Sequence, residues 1–568
     1  MRRIAFWLSL ILPALAVVWG AWRGTFPLGV AGEWEWNRVE PTETLALALI
    51  PPAVAAVLFV GFVWLGARRI ERGRAAERAA WLSGLCLAGF TWLWVVQESA
   101  PESYQLSKAA WVLYFRGSSG YYSEASEEAR DLPAYLAGYE AETAKGDVLH
   151  IGTHPPGLVV LFRGLLSACE SSPQLVEAVI ATEPDSVTRA FTALQQAALH
   201  SQNALPRPGR AALWLATLLM QGGVALTVVP LYGLLRQTSS PRASWLGAGF
   251  WPTIPALAVF LPKSDCLYPL LALAFLWLWS TALARRSRGL YGLAGLTLWL
   301  GMLLSLAFVP VALIALLATL GDLAGCPAGA AKGPAGPQGT DGDGRSLSLE
   351  NLRTVLRRLL PSAVWALVGF CAPTLAAWFF LSLNLPAVWR LNFHNHAGFY
   401  QHYTRSYGKW LLVNPLEFVV AAGVPLVVMA AWSVFRQWRL SDTGQNGGPS
   451  ALPESSKDTG VAGGLCSFLN RLPASVWAWT ATFCLLWLSG KNMGEAARLW
   501  IFLMPFLVWM AGSLFESATA PSGNNLSPAH CCARDWDLLP GFSWVAALAI
   551  QLATTAAVVT RVVGFHYP

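Results

Sequence analysis

Charge is what this chain has least of. Of its 568 residues only 12% are Asp, Glu, Lys or Arg, while 55% are hydrophobic and the mean hydropathy is +0.46. A soluble globular domain carries about 25% charged residues, so the composition excludes an ordinary soluble domain. Cysteine is thinly used as well. The nine are scattered, no CxxC pair occurs, and Cys531 and Cys532 are adjacent. That spacing offers neither a disulfide framework nor a zinc site. The long apolar stretches lack the alternation of barrel strands, so helices are left as the way to pair every backbone group in lipid. Clear internal repeats are also missing, although repeats are common in transporters.

What is present is a series of apolar runs near 20 residues long and 29 Trp suited to interfacial belts. The expected spans are 4–22, 44–67, 79–96, 209–235, 244–261, 266–284, 289–304, 306–320, 361–383, 415–434, 473–489, 498–516 and 542–562. The opening "MRRIAFWLSLILPALAVVWG" has the start of a signal peptide, but its apolar run is long and further spans follow. It reads as a retained signal-anchor helix. The fold class expected is all-α: a polytopic membrane helical bundle of about 13 transmembrane helices, with a large extracytoplasmic first-half loop carrying interfacial helices.

The net charge of +7 comes largely from arginine near span ends, which is a topology signal and not a nucleic-acid footprint. "ARRIERGRAAER" (67–78), "ARRSR" (284–288), "RTVLRRLL" (353–360) and "RQWR" (436–439) fall on one side if the N-terminus is cytoplasmic. Loops 23–43, 97–208, 262–265, 384–414 and 490–497 then face outward, as does the C-terminus. The expected organisation is N-terminal helices over 1–96, an outer loop with the candidate site over 97–208, helices over 209–325, a flexible cytoplasmic linker over 326–350 and C-terminal helices over 351–568. The Gly/Pro-rich stretch 326–345 and the polar stretch 441–460 read as flexible.

The outward loops hold the unusual patterns. In the first, "AAWVLYFRG" reads as an interfacial helix and "SGYYSEASEEARDL" as a second helix, begun at Ser118 or Ser119 and stopped before Pro133. On it Glu124, Glu128 and Asp131 share one face, preceded by Tyr121 and Tyr122. Such acids suit a general base or oxygen ligands for a divalent cation, Mg²⁺ or Mn²⁺; the plain alternative is a solvated polar face. "GDVLHIGTHPPG" (146–157) is a rigid Pro-Pro corner that fixes His154, with His150 and Asp147 just before it; the alternative is a structural turn. "LPKSDCLYP" sets Lys263 and Asp265 in a tight turn. "NFHNHAGFYQHYTRSYGKW" (392–410) offers Arg405, Tyr407 and Lys409 for a phosphate, or an aromatic belt with snorkelling cations. A zinc site at His394 and His396 would need a strand. In "SGKNMGEAARLW" (489–500), Lys491, Glu495 and Arg498 open a span, and Glu495 and Arg498 are spaced to pair.

This plan resembles membrane glycosyltransferases of the GT-C fold, in the branch of protein mannosyltransferases and aminoarabinose transferases. "GYYSEA" followed by "THPPGLVVL", the "PKSD" turn and the late "GEAARLW" are similar to members of that superfamily. The chain departs from it after the third span, where "QESAPES", with Glu98 and Glu102, replaces the usual acidic pair, and in the extra segment 170–210. The resemblance implies a sugar donor linked to polyprenyl phosphate, a glycan, lipid or protein acceptor, and a bacterial inner (plasma) membrane location. It implies Glu124 as the base with Asp147 as the other candidate, His154 positioning the acceptor, and Lys263, Arg405 and Arg498 neutralising the leaving phosphate. Tyr121, Tyr122, Asp265, Tyr407, Lys409 and Glu495 would complete the substrate site. A transporter or lipid flippase, or another transferase acting on a lipid phosphate, are the competing readings.

Overall fold

Leu, Ala and Trp runs without interior breakers form helices, and caps set where they begin. Asp131, Ser172, Ser240, Ser287 and Asn384 each accept a backbone N–H at the start of a helix. A proline sits in the first turn of four of these, where its missing N–H does no harm. The computed structural model describes residues 2–25, 27–40, 44–199, 205–325, 349–445, 473–517 and 543–565. The stretch 326–345, most of 441–460, and Cys531 and Cys532 lie outside them. Residues 441–445 belong to the Val424–Gln445 helix.

The described residues are mostly helical, as an all-α membrane protein requires. Among the described residues six helices are long and apolar enough to cross a membrane: Arg2–Arg23, Leu45–Arg69, Ala75–Glu98, Arg207–Leu235, Ser264–Arg285 and Ala363–Leu381. Five shorter apolar helices are Arg288–Leu304, Phe308–Gly321, Ala474–Leu488, Ile501–Glu516 and Ser543–Val559. A 17-residue helix is about 26 Å long, short of the ~30 Å hydrocarbon layer. Length and composition therefore support six crossings, or seven with one bent pair, where the sequence suggested about thirteen.

Two expected spans differ in kind. Residues 244–261 form two short helices, Pro241–Phe250 and Pro255–Phe260, around a 3₁₀ turn at Trp251–Thr253. Pro252 and Pro255 interrupt the backbone ladder, and residues 243–261 are buried in the main core. The run 415–434 crosses a break at Gly423 (φ +86°), where Tyr407–Ala422 and the following helix meet at 101°.

Residues 97–199 are not a loose loop. They fold into short helices with their own apolar cluster, built on Tyr121, Tyr122, Leu158, Phe162 and Phe191 and continued by Trp214 of the Arg207–Leu235 helix. The expected interfacial helix is Lys108–Tyr114, with most of its side chains buried. Segment 170–210 supplies Pro173–Ile180 and Asp185–Leu199. Two antiparallel ribbons complete the fold: Gly29–Val30 with Trp34–Glu35, and Asn37–Arg38 with Val562–Val563. The second brings the C-terminal end to the face that carries the first loop.

Candidate functional site

The Pro-Pro corner is strapped from three sides. Both carboxylate oxygens of Asp147 accept backbone N–H groups, from Leu149 (3.0 Å), Ile151 (3.0 Å) and Gly152 (3.3 Å). Tyr139 Oη donates to the carbonyls of Ile151 (3.1 Å) and His154 (2.9 Å). From the Leu385–His402 helix, Asn392 Nδ2 reaches the carbonyls of Gly152 (2.8 Å) and His154 (3.2 Å), and Asn395 Nδ2 those of Thr143 and Gly152 (both 2.9 Å). Only glycine fits at 152, because a Cβ there would lie 2.1 Å from the Asp147 carbonyl oxygen. Asp147 thus shapes the corner, through contacts that occupy both its oxygens.

The corner presents two imidazoles to Tyr121, each ring 5.9 Å from the phenol ring. His150 Nε2 lies 3.1 Å from the Gly117 carbonyl, and His154 Nδ1 lies 3.0 Å from Thr153 Oγ1. Both rings are half-buried. Burial pushes both below the ordinary histidine range, His154 to about 4 despite nearby Asp265. Each is neutral at pH 7.

Lys263, Asp265, Glu495 and Arg498 meet beside them. Arg498 Nη2 pairs with Glu495 at 2.7 Å, and its Nε lies 3.8 Å from Asp265 Oδ2. Arg498 Nε and Lys263 Nζ make no hydrogen bond among the described residues. Lys263 is 5% exposed, and burial together with the Arg498 charge pushes it down to about 7. Burial opposes the Arg498 charge too, but Glu495 and Asp265 outweigh it and raise its pKa. Glu495 takes the left-handed backbone region (φ 57°, ψ 18°), an uncommon state for a side-chain-bearing residue, often stored at working sites. Lys263 Nζ, the cation of the cluster that touches no carboxylate among the described residues, is the donor that an anion entering this arrangement would meet.

Other expected residues engage elsewhere. The Tyr121–Glu127 helix ends early, and Asp131 caps the next one, Leu132–Thr143. Glu124 (7% exposed) is therefore separated from the exposed Glu128 and Asp131, in place of one shared acidic face. Tyr135 Oη donates to it at 3.0 Å. Burial raises Glu124 above the usual carboxylate range, with the Tyr135 bond opposing. Tyr139 is a neighbour of both Glu124 and Tyr121, and Tyr121 is a neighbour of Asp265. Tyr122 packs in the apolar cluster against Gly209. Tyr407 Oη donates to the Leu488 carbonyl at 2.8 Å, and Lys409 is exposed, 3.9 Å from Glu33.

Arg405 flanks the cluster beside Gly494, and Glu33 holds it there. The Glu33 carbonyl accepts from Arg405 Nη1 (2.7 Å), and its carboxylate accepts from Ser406 N (2.8 Å) and Trp410 Nε1 (2.7 Å). These donors outweigh slight burial and hold Glu33 below the usual carboxylate range. Tyr400 Oη, on the Leu385–His402 helix, donates to the Lys491 carbonyl at 2.6 Å. Tyr139, Asn392, Asn395 and Glu33 carried no signal in the sequence reading. The i, i+3 spacing of the two asparagines was the trace available.

Among the described residues no group of three or more His, Cys, Asp or Glu could hold a metal ion. His394 and His396 lie on a helix, not a strand, so their ring positions diverge. Asp265 and Glu495 are already engaged with Arg498. Fold and site together define a helical chain with membrane-length helices and a charged cluster packed against its first large loop. No protein-family model, curated protein or solved structure matches the chain.

Proposed function

We propose that this protein is a membrane glycosyltransferase, moving a sugar from a polyprenyl-phosphate donor to an acceptor hydroxyl. The observation that carries the reading is the meeting of buried Lys263, whose amine has no hydrogen-bond partner among the described residues, with Arg498, paired to Glu495 and Asp265, beside neutral His154 and Tyr121. In this reading the cluster faces the extracytoplasmic side, the shorter apolar helices complete a bundle of about thirteen spans in a bacterial inner membrane, and the acceptor is a glycan, lipid or protein.

The bond from the anomeric carbon to the phosphate oxygen breaks as the acceptor oxygen bonds to that carbon. Lys263 and Arg498 neutralise the departing phosphate, and Arg405 stands at the edge of the same cluster. Glu124 takes the acceptor proton; a carboxyl raised by burial is suited to this near neutral pH. Asp147 stays the alternative base only if its backbone contacts open. His154, neutral and strapped, orients the acceptor. No step is routed through a metal.

The test is transfer from defined polyprenyl-phosphate sugars by the purified protein, read as release of polyprenyl phosphate. Arg498→Ala should lower the rate by about 10²–10³-fold, and Glu124→Gln should abolish it with the fold retained. Unchanged turnover in Glu124→Gln sinks the base assignment; no transfer by the wild type from any such donor sinks the function. A transporter or flippase is the second reading, favoured by the sharp bend at Gly423. Substrate flux across vesicles without bond cleavage would establish it. Cleavage of the donor with transfer of something other than the sugar would indicate a different lipid-phosphate transferase.

A further inference from the structure

Glu417 takes no part in the cluster described above, yet it is the most isolated acid in the described structure. It lies on the Tyr407–Ala422 helix, is 0% exposed, and neither carboxylate oxygen has a hydrogen-bond partner among the described residues. Asn414, three residues earlier, shares its helix face. It is 2% exposed; its Nδ2 donates to the Asn492 carbonyl at 3.0 Å, and its Oδ1 is also unpartnered among the described residues. Glu495, a charged neighbour of Glu417, adds negative potential. The helix is one half of the pair broken at 101°. The break is braced from outside, with Gln551 Nε2 donating to the Ala422 carbonyl at 3.1 Å and Gln551 Oε1 accepting from Leu426 N at 3.3 Å.

Three oxygens are thus buried on one helix face, and the Ala497 backbone N–H is the one donor directed at Glu417. A lone buried carboxylate is unfavourable by several kcal/mol and needs a positive partner. A proton on Glu417 would also neutralise the charge and would give Asn414 Oδ1 a donor, and the pH arm of the test below separates that state from a bound cation. A small hard cation takes oxygen atoms from both residues. The pair offers one carboxylate and one amide oxygen, with Glu495 engaged by Arg498 and no third acid, histidine or cysteine in the group, which matches a monovalent ion better than a divalent one. Broken helices in membrane proteins place carbonyl and side-chain oxygens where such ions bind.

We propose that Glu417 and Asn414 form a binding site for a monovalent cation of about the size of Na⁺, on the helix that leads into the break at Gly423. The site stands independently of the sugar-transfer reading. The test uses the purified full-length protein and follows thermal unfolding as NaCl replaces choline chloride at constant ionic strength and pH. The midpoint should rise saturably, by about 2–5 °C. Glu417→Gln should lose the Na⁺ response, and Asn414→Ala should retain it with a higher half-saturating concentration. Asn414→Ala therefore keeps the test open if Glu417→Gln fails to fold. No Na⁺-specific rise in the wild type overturns the proposal. So does an unaltered rise in either variant, or a midpoint that follows pH and ignores Na⁺.

Discussion

At the scale of single residues, Lys263 has two opposite dependences on pH. Its pKa is about 7 in the folded chain, below its ordinary 10.5, because burial and Arg498 disfavour its charge. An anion at the cluster needs the protonated form. Binding of polyprenyl phosphate should therefore weaken as pH rises above 7, by up to about tenfold per pH unit. Between about 7 and 10.5 the unfolded chain holds a proton that the folded chain lacks, so stability from this group should rise with pH over the same window. Binding and thermal unfolding measured from pH 7 to 9 check both signs, and Lys263→Arg should flatten both slopes. Lys263 and Arg498 were legible in the sequence because cations are rare in so apolar a chain. Asn392, Asn395 and Tyr139 were not, because uncharged side chains that hold carbonyls look like any other polar residue until the partner loop is in place.

At the scale of elements, the apolar runs located most helices, but hydrophobicity does not record where a helix breaks or which core it enters. Residues 244–261 read as a span because they are apolar, and they are apolar because they are buried in protein. The expected helix from Ser118 or Ser119 ran too far because its acids suggested one face; Asp131 instead opens the next helix as a cap. Other helix contacts depend on glycine. A Cβ at Gly295 would lie 2.0 Å from the Ala366 carbonyl oxygen, and one at Gly369 would lie 2.0 Å from that of Gly292. These backbones approach as small residues permit in membrane helices. Gly369→Leu should separate Arg288–Leu304 from Leu349–Leu381 and lower the unfolding midpoint. Gly164→Leu, where a Cβ meets nothing within 4 Å, is the control and should leave the midpoint nearly unchanged.

At the scale of the whole molecule, hydrogen bonds and ion pairs join loops far apart in sequence. Asn392 meets Gly152, Tyr400 meets Lys491, Arg498 meets Asp265, and Trp410 meets Glu33. All these loops must then share one side of the membrane. A membrane-impermeant thiol reagent should label Tyr403→Cys and Glu128→Cys from the same side, and Arg72→Cys from the opposite side. Labelling of the first two from opposite sides would break the proposed arrangement. The ribbon of Asn37–Arg38 with Val562–Val563 has a further consequence, in time and not in space. Asn37 Nδ2 also donates to the Phe565 carbonyl, 528 residues along the chain. While the chain is being made, the first loop, whose Glu33 secures Arg405, waits with an unpaired edge until Val562 emerges. Until then that edge of the first loop keeps backbone groups that this pairing would satisfy.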